Sequence, residues 1–184
     1  MATAALTEPS PPLTASGVVL RRLRAADADW IAAACSDPEM GRYAPALPHP
    51  YLPAHAHAFV DHAQRGWRGG SRAVFAIVDA LAGTGMGLVE LHLSARNDDV
   101  ATIGYWLARE HRGRGHATAA VRLVAGWAFD VLAIARLEIT ADPENTPSIR
   151  VAERAGFERT AYLPARVETR AGPRDRILLC RKRP

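Results

Sequence analysis

The stretch from Val100 to Ala120 constrains the fold of this chain more than any other segment. It opens with an apolar, aromatic run of strand length that ends at Leu107, and the basic glycine segment Arg112-Gly113-Arg114-Gly115 then leads into alanine-rich sequence of helical period. This order predicts an anion cradle, because the first N–H groups of a helix point outward, the helix dipole is positive there, and glycine lets a ligand approach the backbone. Arg112 and Arg114 would add charge and forked hydrogen bonds to the same anion. The alternative is a turn that only ends a strand and leaves its arginines solvated.

The spacing of this turn excludes a Walker P-loop, since it is not GxxxxGK[ST], and it gives poor support to a dinucleotide-binding GxGxxG turn. The segment Arg112 to Ala117 instead resembles the [QR]-x-x-G-x-[GA] pattern of the GNAT N-acetyltransferases, in which this turn holds the pyrophosphate of acetyl-CoA. The preceding GYWL and the following alanine-rich helix are also similar to that superfamily.

The composition fits one globular domain, since 48% of the 184 residues are hydrophobic and 23% are charged. The first 16 residues contain Pro9, Pro11 and Pro12 and lack the basic and long apolar regions of a signal peptide. We therefore expect a disordered arm over residues 1–16 and a single domain over residues 17–184. Because no apolar run reaches transmembrane length, we expect a cytoplasmic protein with no membrane partner.

The net charge of +4 is carried by arginines spread along the chain, with Lys182 the sole lysine. Without a recognisable nucleic-acid-binding motif, this charge does not predict binding to RNA or DNA. Cys35 and Cys180 are far apart and have no CxxC or Cys/His neighbours, which predicts reduced, inert thiols. The histidines of AHAHAFVDHA lack the spacing of three or four residues that a helical metal site needs, so we expect surface histidines and no metal.

Hydrophobic periodicity predicts an alternation of strands and helices. The predicted strands are Gly17–Arg24, Ala73–Val78, Met86–Leu93, Val100–Leu107, Arg136–Ala141, Phe157–Tyr162 and Arg176–Cys180. Four helices are predicted. The first begins at Asp27 and ends before Pro38, the second spans Ala54–Trp67, the third follows the glycine turn, and the fourth runs from Pro147 to Gly156. The proline-rich stretch Asp37 to Pro53 predicts a loop, either a wall of the substrate pocket or a surface connection. This order indicates an α/β fold with a mixed sheet.

A second motif makes the resemblance specific. The segment Glu144 to Phe157, ENTPSIRVAERAGF, resembles the ENxxSxxVxxxxGF sequence of the Rim-type branch of the GNAT superfamily, which includes ribosomal-protein N-acetyltransferases. The opening VVLRRLRAADAD is also similar to that branch. The resemblance implies the GNAT acyl-CoA N-acyltransferase fold: a mixed, mostly antiparallel sheet with a splayed centre, flanked by about four helices. Its fourth and fifth strands would diverge and admit acetyl-CoA between them.

The resemblance also implies a set of cofactor contacts. Pantetheine would bond to the backbone of the strand end, and the pyrophosphate would lie on the glycine turn. Asn145 would reach the cofactor from the far side, because its amide matches the pantetheine amides, and it would also cap the following helix. The implied residues are Tyr105, Trp106, Leu107, Arg112, Gly113, Arg114, Gly115, His116, Ala117, Asn145 and Ser148.

Proton transfer needs an acid for the departing CoA thiolate and a base for the acceptor ammonium. The serine that matches Ser148 is assigned the acid role in Rim-type enzymes, although a serine in a first helical turn is equally a structural cap. Many Rim-type relatives carry a glutamate two residues before the GYW strand centre, where this chain has Thr102, which cannot ionise. Glu168, near the place of a catalytic glutamate in serine-acetylating relatives, and Glu90 are the candidate bases. A surface carboxylate or a water chain is the alternative for each.

Two functional hypotheses follow. The first is an acetyl-CoA-dependent N-acetyltransferase, in which a primary amine attacks acetyl-CoA directly in a ternary complex. Its acceptor would be a protein or peptide N-terminus or a small amine, and the enzyme would be a monomer or homodimer. The second is a catalytically silent acyl-CoA-binding or sensing module, which the uncharged Thr102 keeps open.

Overall fold

Eight strands form one sheet in the part of the chain that the computed structural model describes, residues 5–44, 47–94, 97–169 and 172–184. The strands are β1 (Leu13–Ala15), β2 (Val18–Arg22), β3 (Arg72–Asp79), β4 (Gly85–Leu93), β5 (Val100–Leu107), β6 (Arg136–Ala141), β7 (Glu158–Thr169) and β8 (Gly172–Lys182). Their order across the sheet is β1-β2-β3-β4-β5-β6-β8-β7. Neighbouring strands are antiparallel except for the parallel pair β5 and β6. Short connections predict the antiparallel pairing of β3 with β4 and of β4 with β5.

The helices of the described residues are α1 (Asp27–Cys35), α2 (Pro38–Tyr43), α3 (Pro53–Arg68), α4 (His116–Asp130) and α5 (Thr146–Arg154). Helix α2 lies in the stretch that the sequence predicted as a loop. It forms because the Asp37 side chain accepts a hydrogen bond from the Glu39 amide at 3.0 Å and Pro38 occupies the first turn. The other four helices match the predicted segments to within a few residues.

The predicted disordered arm contains a strand that the sequence analysis did not foresee. Strand β1 pairs with β2, with Leu13 opposite Leu20, and the Leu6 amide donates to the Trp67 carbonyl at 3.0 Å. Apolar contacts of Leu6 and Leu13 with the core explain why this proline-rich segment is ordered. Residues 1–4, the start of that arm, lie outside the described residues.

The two faces of the sheet carry different helices. On one face α4 and α5 cover a core that includes Phe75, Val89 and Ile103. On the other face α1 and α3 cover a second core that includes Leu88, with Trp106 packed against it. Side chains alternate between the faces along each strand, so positions two residues apart face the same helices.

The centre of the sheet opens where β5 and β6 diverge. The two strands pair only from Val100 to Thr102 on β5 and from Arg136 to Glu138 on β6, and each then continues for several residues without the other. The predicted mixed α/β fold with a splayed centre is therefore confirmed. The divergence leaves a cleft between the two strand ends.

Candidate active site

A cleft of about 830 Å³ lies between the diverging ends of β5 and β6. Its walls include Ile103 to Leu107 on one side and Ile139 to Asp142 on the other. Because these strand edges face each other without pairing, their backbone N–H and C=O groups can bond to an extended ligand that lies between them. The volume is in the range of sites that hold small molecules and cofactors.

The first turns of two helices border this cleft. Ala117 and Thr118 of α4, and Pro147 and Ser148 of α5, line it. A helix N-terminus carries partial positive charge and unpaired N–H groups, so both helices favour an anionic or strongly polar ligand here. The two motifs, which are about thirty residues apart in the chain, are thus brought to one site.

The glycine turn has the backbone that the sequence predicted. Gly113 and Gly115 have φ values of +77° and +84°, which lie in the left-handed region that favours glycine, and Gly115 is the residue before the first turn of α4. A Cβ atom at either position would meet no heavy atom within 4 Å, so the space over the turn is open. An anion can therefore approach the backbone amides of this turn closely.

Arg112 makes contacts that the sequence did not predict. Its Nε donates to the Leu107 carbonyl at 3.0 Å, and its Nη1 lies 2.5 Å from an oxygen of Glu39. Its Nη2 also approaches the sulfur of Met40 at 3.4 Å. The guanidinium therefore ties helix α2 to the end of β5, and a phosphate at this point would compete with the carboxylate of Glu39.

A second groove, of about 1160 Å³, lies between residues 7–16 and helix α4. Arg114, Gly115, Arg122 and Arg154 line it, and Gly115 and Arg154 also line the cleft. Arg122 is held in place because its guanidinium donates to the Arg154 carbonyl. The groove thus continues the cleft past the glycine turn into a basic region.

Most of the residues predicted to bind the cofactor border these two spaces. Those that line the cleft are Tyr105, Trp106, Leu107, Arg112, Gly113, Gly115, Ala117, Asn145 and Ser148. Arg114 lines the second groove. His116 lines neither, and its Nδ1 is buried without a hydrogen-bond partner among the described residues.

Tyr105, Asn145 and Ser148 form a connected group at the start of α5. The Asn145 Oδ1 accepts from the Ser148 amide at 3.1 Å, which is the predicted helix cap. The Tyr105 hydroxyl donates to the Ser148 carbonyl at 2.8 Å and lies 3.1 Å from Ser148 Oγ. Burial raises the pKa of Tyr105 to about 12, so the phenol stays neutral and serves as a fixed hydrogen-bonding group.

Neither carboxylate predicted as a base borders the cleft in the described residues. Glu168 is exposed on the β7–β8 hairpin, opposite Pro173. Glu90 is inside the sheet layer, bonded to Arg72 and 2.9 Å from His92 Nε2. Burial alone would raise the pKa of Glu90, but the hydrogen bond from His92 and the charge of Arg72 outweigh burial and hold this pKa below its ordinary value. An ionised, paired carboxylate of this kind accepts a proton reluctantly.

Sequence reasoning missed the carboxylates that do border the cleft. Asp142, at the end of β6, is buried and lies 3.2 Å from Nη1 of the equally buried Arg176. Its other oxygen accepts from the Glu144 amide at 2.9 Å. Glu39 reaches the cleft from α2. The only sequence signal for Asp142 was its position two residues before the start of the ENxxS motif at Glu144.

Other expectations concern groups outside the cleft. Cys35 and Cys180 are both free, as predicted, and burial raises the pKa of the Cys35 thiol to about 11. Of the predicted surface histidines, His57 and His62 are exposed, but His55 is half-buried and its Nδ1 accepts from the Leu52 amide at 3.0 Å. Across the described residues, three or more His, Cys, Asp and Glu side chains do not gather into a possible metal site. Within the same residues, each helix is too short or too polar to cross a membrane.

Comparison with known proteins places this geometry among acetyltransferases. The family described as "Acetyltransferase (GNAT) domain" matches residues 18–158. The uncharacterized N-acetyltransferase p20 of Bacillus licheniformis is 28% identical over 146 residues, which cover 79% of this chain and 82% of that protein.

Two solved structures share the fold. The ribosomal-protein-S5-alanine acetyltransferase of Vibrio fischeri has a TM-score of 0.83 at 19% identity, covering 94% of this chain and 96% of its own. The spermidine N-acetyltransferase of Vibrio cholerae, solved in complex with CoA and spermine, has a TM-score of 0.77 at 20% identity, covering 92% of this chain and 97% of its own.

Proposed function

The chain belongs to the GNAT acetyltransferase family, whose members use acetyl-CoA, and from this premise we propose that it acetylates a primary amine by direct attack within a ternary complex. The acceptor is a protein or peptide N-terminus or a small amine. Residues 17–184 act as a single acetyltransferase domain. The observation that carries the proposal is the cleft between β5 and β6, which meets the N-termini of α4 and α5 and the open glycine turn at one place.

The residues of the cleft fit acetyl-CoA in three parts. On the edge of β5 that faces β6, the backbone groups of Tyr105 to Leu107 that β4 and Arg112 leave free bond to the pantetheine amides, and Asn145 offers its Nδ2 donor from the opposite wall. The turn from Arg112 to Ala117 receives the pyrophosphate on its amides. Arg114 and its basic neighbours in the second groove attract the remaining phosphate charge.

Acetyl-CoA supplies an activated thioester, and the protein supplies position, hydrogen bonds and proton transfer. Ser148 is the group that gives a proton to the sulfur of the leaving thiolate. The Tyr105 hydroxyl donates to the Ser148 carbonyl and lies 3.1 Å from Ser148 Oγ, so it holds this serine in place at the cleft. Tyr105 is in this role a positioning residue.

The acceptor enters from the α1/α3 face of the sheet. Helix α2 contributes Glu39, Met40 and Tyr43 to that side of the cleft, and the buried Asp142 contributes a carboxylate from the end of β6. Carboxylates and an aromatic ring suit a cationic amine. Because the structural neighbours act on a ribosomal protein in one case and on spermidine in the other, both acceptor classes are included in the proposal.

Release of the CoA thiol from acetyl-CoA tests the function. The panel contains spermidine, spermine and short peptides that begin with alanine, serine or methionine, and it is compared with the protein alone. Acetylation of at least one amine, seen as thiol release and as an added acetyl group by mass spectrometry, supports the proposal. Thr102 favours one other candidate, the silent acyl-CoA-binding module. A module of that kind would give a thermal shift with CoA but would acetylate no amine in the panel.

A further inference from the structure

A row of polar side chains crosses the α1/α3 face of the sheet at the closed end of the cleft. His92 on β4 pairs with Arg72 on β3 and with Thr102 on β5. Thr102 in turn pairs with Glu138 on β6 and is the last residue of β5 before the two strands diverge. Within the described residues His92 does not itself line the cleft, but since neighbouring strands are about 4.8 Å apart, its backbone is one strand spacing from Thr102, at the closed end of the cleft.

The faces of the sheet fix the direction of these side chains. Leu88 and Trp106 are paired across β4 and β5 and pack under α1 and α3. By the two-residue period of a strand, Glu90 and His92 share the face of Leu88, and Gly104 and Thr102 share the face of Trp106. A Cβ at Gly104 would meet no heavy atom within 4 Å, so open space lies beside these side chains, where the acceptor enters.

Glu90 orients the imidazole ring of His92. Arg72 and His92 both bond to the same carboxylate oxygen, and the side chain of Glu90 is only 14% exposed. Because Glu90 is ionised, it accepts a hydrogen bond from Nε2–H of His92, which leaves the lone pair of the neutral ring on Nδ1. Nε2 is therefore committed to Glu90, and Nδ1 is the nitrogen that can take up a proton.

We propose that His92 is the general base of the acetyl transfer and that Glu90 positions it. This inference rests on the proposed function. His92 Nδ1 takes one proton from the acceptor ammonium and becomes an imidazolium. The freed amine lone pair forms the C–N bond to the acetyl carbon as the C–S bond breaks. Ser148 gives its hydroxyl proton to the thiolate sulfur, which forms the CoA thiol, and takes up the second proton that the nitrogen loses as the amide forms. The imidazolium returns its proton to water, because the side chain of His92 is 45% exposed.

The charged groups around His92 favour this histidine over the nearby carboxylates as the base. Arg72 faces it from β3, Glu90 lies on its own strand, and Glu138 lies beyond Thr102 on β6, already bonded to Arg136 at 2.9 Å. Helix α3 contributes the apolar Phe59, whose ring lies under the guanidinium of Arg72. Glu90 and Glu138 are each held by an arginine, whereas Nδ1 of His92 makes no hydrogen bond within the described residues and its side chain is partly exposed.

The first experiment compares kcat in His92→Asn with kcat in His57→Asn, which alters an exposed histidine of α3. The acceptor is the panel amine that the wild-type enzyme acetylates fastest. We expect kcat to fall by about 10² to 10⁴-fold in His92→Asn, with the KM for acetyl-CoA unchanged, and to stay at the wild-type level in the control. The fall of kcat at acidic pH should disappear in His92→Asn, because a base works only when it is unprotonated. His92→Gln is the second variant if the asparagine form does not fold.

A second experiment needs no turnover. In the wild-type protein without substrate, ¹⁵N NMR of the neutral ring, with the His92 signal identified by its absence in His92→Asn, should show the proton on Nε2. Glu90→Gln keeps a hydrogen-bonding group but removes the charge, so we expect a smaller loss of kcat than in His92→Asn, with CoA affinity unchanged.

Wild-type kcat in a folded His92→Asn variant overturns the proposal, and so does a proton on Nδ1. If the fall of kcat at acidic pH persists in His92→Asn but is lost in Glu138→Gln, the base is Glu138 and the proposal is overturned. Failure of the proposed function is a different result, because then the wild-type protein acetylates no amine in the panel.

Discussion

Replacing Gly115 by alanine separates the backbone role of this residue from its role toward a ligand. Gly115 has a φ of +84° and precedes the first turn of α4. A residue with a Cβ costs about 1 to 2 kcal/mol in the left-handed region, and no protein atom lies within 4 Å of the added carbon to cause a further clash. For a domain of this size, each kcal/mol lowers Tm by about 2 to 4 °C, so we expect the ligand-free variant to melt about 2 to 8 °C lower.

The effect on CoA should be larger than the effect on the fold. A phosphate oxygen approaches a backbone amide to about 2.9 Å, whereas a methyl carbon keeps it at about 3.5 Å or more. At one hundred times Kd, CoA stabilises the wild-type protein by about 2.7 kcal/mol. If the added methyl weakens binding about a hundredfold, the same CoA concentration contributes only about 0.4 kcal/mol. Thermal melting with and without CoA measures both effects in one assay.

Gly41→Ala is the matched control, because it adds the same carbon at a helical position of α2 without positive φ or neighbouring atoms, and Gly41 lines neither the cleft nor the second groove. We expect this variant to be up to about 1 kcal/mol more stable, since alanine favours a helix over glycine, and to keep the full shift with CoA. The reasoning is refuted if Gly115→Ala melts lower than wild type but is stabilised by CoA just as much. Gly115 would then serve the backbone alone, and the pyrophosphate would bind elsewhere.

Three further changes test other contacts. Tyr105→Phe should lower kcat about tenfold with CoA affinity unchanged, and the double variant with Ser148→Ala should be no slower than Ser148→Ala alone, because Tyr105 acts through Ser148. Arg112→Ala should weaken CoA binding by about tenfold or less in calorimetry, since the guanidinium already bonds to Glu39. Asp27→Asn should lower the free energy of unfolding by about 2 to 4 kcal/mol at neutral pH in urea titrations, and this difference should vanish in acid.

The acid dependence in the last case has a definite sign. Burial alone would raise the pKa of Asp27, but hydrogen bonds from Arg21, Trp30 and the Arg24 amide outweigh burial and hold it below the ordinary value of 3.8. The stabilisation is therefore complete above about that pH and is lost as the pH falls through the lower pKa of the folded state. A difference that persisted in strong acid would contradict this account.

A double variant much slower than Ser148→Ala would contradict the role of Tyr105, and a loss of kcat in Arg112→Ala at saturating acetyl-CoA would contradict the role of Arg112.

The local structure of the cofactor motifs was readable from the sequence. The glycines at positions 113 and 115 predicted a turn that a ligand can approach closely, and the structure gives both a positive φ. Asn145 with Pro147 predicted the start of α5, where Asn145 caps the amide of Ser148. The backbone of the glycine turn and the cap of α5 depend on atoms within a few residues of one another, so short-range interactions determine them. The periodicity of the strands and of α4 was readable for the same reason.

The partners of the functional side chains were decided by the tertiary structure alone. Tyr105 meets Ser148 across 43 positions of sequence, and Arg112 meets Glu39 across 73. From the sequence Glu90 was a candidate base or a surface carboxylate, yet the register of β3 with β4 places Arg72 beside it. Strand register and the divergence of β5 from β6 depend on how whole faces of the sheet pack against their helices. A one-residue shift would turn the side chains of Tyr105, Glu90 and Arg72 to the other face. The sequence thus determined which groups are present and how their own segments fold, and packing between distant segments decided which of them act together.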